Sequence, residues 1–138
     1  MIFERSTVQR AALCAILTAT AACGSSSPTS PGGGGGGSGG PGPVGATITI
    51  GANDAVSPAS VTINPGESVT FVNNGSQPHE MASNPHPAHT DCPAINAVGL
   101  LNPGQTRTTN ALTASRSCGY HDHRNDTNNA MRGTIVIR

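Results

Sequence analysis

The sequence predicts a small all-β domain, an antiparallel β-sandwich over residues 44–138, and three observations carry that prediction. Apolar side chains alternate with polar ones at the period of two that an extended strand needs. Val61 and Ile63 flank Thr62, Val69 and Phe71 flank Thr70, and Ile135 and Ile137 flank Val136. Turn chemistry recurs between these runs: Pro65-Gly66 and Pro103-Gly104 each preset φ with proline and accept a positive φ at glycine, and Asn73-Asn74-Gly75 is a further turn. No helical period persists for ten residues anywhere in the domain. Strands are expected over 46–50, 60–64, 67–73, 80–83, 105–112, 116–121 and 133–138. Val136, apolar between two apolar neighbours, is expected between two covered faces. The core such strands can build is thin, so a disulfide or metal staple is expected.

Composition excludes several functions. The chain of 138 residues has no net charge and 10% charged residues, which leaves no electrostatic footprint for nucleic acid or an anionic membrane. All basic residues are arginine, and beyond Phe3 the only aromatics are Phe71 and Tyr120, too few for a platform on which bases stack. There is no nucleophile elbow, P-loop, dinucleotide fingerprint or His-Glu-x-x-His helix, so an enzyme is not expected.

The amino terminus reads as an address. Residues 1–23 combine a short segment ending at Arg10, an apolar run over 11–22 and Cys23 after Thr20-Ala21-Ala22. The apolar run is much shorter than the roughly 20 residues of a membrane span and fits an export signal. The small residues before Cys23 resemble a bacterial lipobox, which would make Cys23 the lipidated first residue of the mature protein and discard Cys14 with the leader. A plain secretory signal is the alternative. Residues 24–43 are glycine, serine and proline with one threonine, a composition that buries nothing and is expected to be a flexible tether of on the order of 25 Å.

The run from Val61 through Pro65-Gly66, Val69-Thr-Phe71-Val-Asn73 and Pro78-His79, joined to Cys118-Gly-Tyr-His-Asp-His123 and Met131-Arg-Gly-Thr-Ile-Val-Ile137, resembles the cupredoxins, the plastocyanin and azurin family. The resemblance covers most of residues 46–138. It implies a Greek-key sandwich, a copper cofactor and a first ligand at His79. Two ligand sets follow from it. In one, Cys118, His121 and Met131 join His79 in a blue copper centre. In the other, Tyr120 matches the aromatic before the family's ligand segment, and His121 and His123, two apart on a strand, aim at one point. Cysteine arithmetic supports the second set: Cys92 and Cys118 are the only cysteines of the domain over residues 44–138, and in an oxidising compartment two such residues pair. The bridge would carry His86 and His89 toward His121 and His123, so that all five histidines converge on one end of the sandwich. Asp122 is expected as a turn former or as the group that orients a ligand imidazole. Met131 also reads as a core residue.

The function these readings imply is that of an exported, lipid-anchored, monomeric copper protein of the cell envelope, periplasmic or on the outer membrane, which passes single electrons or holds copper. Its partner would be a redox protein or a copper donor or acceptor. A copper storage or delivery module with redundant histidines is an alternative, and a metal-free sandwich for adhesion or assembly is another.

Overall fold

The computed structural model describes residues 39–138. The leader of residues 1–23, with Cys14 and Cys23, and residues 24–38 of the expected tether lie outside the described residues. Of the residues that composition assigned to the tether, three bond to the domain. Gly42 N–H donates to Ser68 Oγ at 2.7 Å, and Pro43 and Gly40 carbonyls accept from Ser68 and Ala111 N–H.

Nine strands appear among the described residues: β1 Val44–Ile50, β2 Val56–Ser57, β3 Ser60–Ile63, β4 Ser68–Asn73, β5 His79–Ser83, β6 Gly99–Leu101, β7 Thr106–Thr108, β8 Ser117–Asp122 and β9 Gly133–Ile137. One sheet has the order β2-β1-β4-β7 and the other β3-β9-β8-β5-β6. Short 3₁₀ turns at Pro93–Ala97, His123–Asn125 and Asn129–Met131 complete the fold, with no α-helix among the described residues. The expected sandwich is present, and its sheets are mixed: β1 runs parallel to β4 and β3 parallel to β9, while the other pairings are antiparallel.

The pleat explains the core. Ile48, Ile50, Val69 and Phe71 from the first sheet meet Val61, Ile63, Met81, Cys118, Tyr120, Ile135 and Ile137 from the second. Each such side chain, fully buried, contributes about 1.5–3 kcal/mol. Phe71 and Tyr120 meet edge to face across the sandwich at a centroid distance of 5.2 Å. Val136 is only partly covered, so β9 is buried on one face rather than two.

The structure also trims and adds elements. The run expected over 105–112 is a strand only at Thr106–Thr108, and beyond it Leu112 forms an isolated bridge to Glu67. β2 and β6, of two and three residues, lie in stretches too short to show a period.

Candidate metal centre

β5 and β8 pair antiparallel, with Met81 opposite Asp122, Ala82 opposite His121 and Ser83 opposite Tyr120. Met81, Cys118 and Tyr120 lie in the core. By the alternation of a strand, Asp122 shares their face and His121 points to the other. There His121 is covered by residues 84–92, the loop that leaves β5 and returns through Cys92, and only 2% of it is exposed. His123 opens the 3₁₀ turn just past β8.

The result is a cluster of four imidazoles. One ring nitrogen from each of His86, His89, His121 and His123 lies within 4.8 Å of the others. Around one ion at 2.0–2.1 Å, tetrahedral nitrogens lie about 3.3 Å apart, so binding would draw the rings together by on the order of 1 Å. His123 Nδ1 and His89 Nε2 are already 3.1 Å apart. His121 Nδ1 is 2.9 Å from Asn84 Oδ1, an obligate acceptor, so Nδ1 carries the proton and Nε2 keeps a bare lone pair. That buried Nε2 has no hydrogen-bond partner, and a metal ion would satisfy it.

Local structure holds the donors ready. His89 has φ of 51°, a left-handed conformation that costs a non-glycine residue of order 1–3 kcal/mol. Its carbonyl is held in place by Ser83 Oγ at 2.8 Å and Asn96 Nδ2 at 2.9 Å. Burial depresses the pKa of His121, with further depression from His89, His86, Arg132 and His123. Burial likewise depresses that of His89, assisted by His123 and His86 and opposed by Glu80. Both effects favour the neutral imidazole, the form that binds a metal.

The expected Cys92–Cys118 disulfide is present and Met131 is a core residue, which removes two donors from the alternative blue-copper set. Cys118 cannot serve as a thiolate ligand, because its sulfur is bonded to Cys92, with the Cα atoms 5.8 Å apart. Met131 lies in the core cluster, fully buried. His79 stands apart from the four-histidine group, for a reason of parity. It pairs with Leu101, a core residue, and so faces inward. Its Nδ1 bonds to Asp122 Oδ2 at 2.8 Å, and its Nε2 lies 3.4 Å from Asp54 Oδ1. Asp122 also accepts from Glu80 N–H and caps the turn at Arg124 N–H. It therefore orients an imidazole, as expected, but one outside the cluster. Sequence reasoning missed Asn84, Ser83 and Asn96, whose only signal was their nearness to His86 and His89.

No family model matches the sequence, and no curated protein matches it either. Solved structures do. A purple cupredoxin from Nitrosopumilus maritimus superposes with a TM-score of 0.54 at 20% identity, over 67% of this chain and 99% of that one. Dithionite-reduced auracyanin from Roseiflexus castenholzii gives 0.52 at 22% identity, over 67% and 95%. Amicyanin from Paracoccus versutus gives 0.53 at 19% identity, over 68% and 81%. The all-β sandwich of this protein has the cupredoxin fold.

Proposed function

We propose that this protein is an exported copper-binding protein that holds the ion through His86, His89, His121 and His123. The observation that carries the reading is the convergence of four imidazoles on one point around a buried, unpartnered His121 Nε2. Imidazole suits copper, and with no free thiolate in the domain the donor set is all nitrogen. His121 supplies the shielded donor, whereas His86 is exposed at the rim, where copper could enter or leave. This combination favours holding and handing on copper.

Single-electron transfer is a second reading, favoured by the fold shared with a protein solved in a reduced state. Copper would supply the one-electron couple, and the chain would fix the rings and exclude water from His121. The partner would then be a redox protein; for a holding role it would be a copper donor or acceptor. Residues 1–23 support export and a lipid anchor at Cys23. Labelled fatty acid should enter the wild-type protein in a bacterial host and not the Cys23→Ser variant.

The direct test is to count free thiols in the purified full chain, add Cu(II), dialyse, and record the visible spectrum. We expect no free thiol in the domain and weakly absorbing, retained copper. Loss of copper on dialysis removes the reading, and intense blue absorption replaces it with thiolate ligation. Voltammetry of the loaded protein separates the roles: fast reversible electron exchange supports transfer, and its absence supports holding.

A further inference from the structure

We propose that Asn84, seated on Gly119, is the positioning residue of the histidine cluster, holding His121 in the Nδ1–H tautomer and reserving its Nε2 for a metal. The inference rests on the metal-binding reading above. Asn84 follows β5 directly and ties together everything that carries a ligand. Its N–H donates to the Gly119 carbonyl at 3.0 Å, which fixes the start of the loop to β8. Its own carbonyl accepts from Asp91 N–H at 2.8 Å, which closes the segment that bears His86 and His89. Its side-chain oxygen accepts a hydrogen bond from His121 Nδ1–H at 2.9 Å. One residue thus sets the loop by its backbone and the ring by its side chain.

Gly119 is part of the same device. A Cβ built at position 119 would collide with Asn84 Nδ2 and stand 3.0 Å from its Cγ, so any other residue there pushes the carboxamide off His121. The choice of an amide also has a consequence. His79, on the opposite face of the same sheet, has its Nδ1 on the Asp122 carboxylate. His121 has a neutral acceptor instead, which fixes the tautomer without adding negative charge beside the cluster. Groups that orient a ligand imidazole in this way typically alter metal affinity by about 10–100-fold when removed.

The test uses the full chain labelled with ¹⁵N and, separately, its affinity for Zn(II), a probe that needs no redox activity. Long-range proton–nitrogen correlation in the metal-free protein, at a pH where the rings are neutral, reports which nitrogen of His121 carries the proton. We expect Nδ1–H in the wild type and in Asn84→Asp, and Nε2–H or a mixture in Asn84→Leu. Zn(II) affinity should fall about 10–100-fold in Asn84→Leu and in Gly119→Ala, and recover most of the loss in Asn84→Asp. His121 found as Nε2–H in the wild type overturns the proposal, as does an Asn84→Leu variant with unchanged tautomer and affinity. A wild-type chain that takes up no metal while His121 is Nδ1–H sinks the metal reading but leaves the hold of Asn84 on His121 standing.

Discussion

His121 and His79 differ by a single step of strand parity, and that step gives the two rings different chemistry. His79 faces inward with its Nδ1 on the Asp122 carboxylate, whereas His121 faces the loop among three other imidazoles, and each ring buries an Nε2 without a hydrogen-bond partner. The lowered pKa values of His121 and His89 make a prediction for the metal-free protein. A histidine whose folded pKa lies below its unfolded value binds protons more weakly when folded. Its contribution is complete above the unfolded value, about 6.5, and is lost as pH falls through the folded value. Thermal unfolding followed by circular dichroism should therefore show Tm falling from pH 7.5 to pH 5, and a Tm that rises over this interval would contradict the burial argument. Replacing both His89 and His121 by glutamine should flatten the dependence. Tyr120 offers a second test at this scale. Its hydroxyl donates to the Ala59 carbonyl at 3.2 Å, so Tyr120→Phe should cost about 0.5–1.5 kcal/mol in denaturant titration, with copper uptake retained.

Among the elements, the β5–β8 pair determines where the cluster sits. Its register places His121 opposite Ala82, so the ring rises from the outer face between the loop and the turn after β8. Shifting that register by one residue would exchange His121 with Tyr120 or Asp122 and bury the wrong side chain. β9 enters next to it at Gly133, where a Cβ would strike the Ala59 carbonyl and the Tyr120 ring. Gly133→Ala should accordingly destabilise the protein by about 1–3 kcal/mol, the usual cost of overpacking. Chemical denaturation checks this, and a neutral substitution would show that the strand can shift without loss. The same glycine belongs to the run Met131-Arg-Gly-Thr-Ile that signalled the fold, and packing against Tyr120 is the physical reason for it.

At the scale of the whole molecule, the Cys92–Cys118 bridge joins the loop bearing His86 and His89 to the strand bearing His121. It closes a loop across a sequence separation of 26, which by chain entropy corresponds to about 3.5 kcal/mol. The double variant Cys92→Ala, Cys118→Ala should unfold at a clearly lower denaturant concentration than the wild type. A loss below about 1 kcal/mol would show that the hydrogen bonds of Asn84, Ser83 and Asn96 suffice to hold the loop.

The sequence by itself determined the sandwich, because period-two alternation and proline–glycine turns are local signals and a strand with one apolar face has few ways to bury it. It also placed four of the chain's five histidines within reach of the cysteines. Only the tertiary structure decided which of the five converge. Strand parity turned His79 inward beside Asp122, the register of β5 on β8 turned His121 outward, and the return of the loop laid His86 and His89 over it. Asn84 and Gly119 acquired their role only when the loop closed on the strand, since a carboxamide and a missing Cβ have no meaning for a metal until folding sets one against the other.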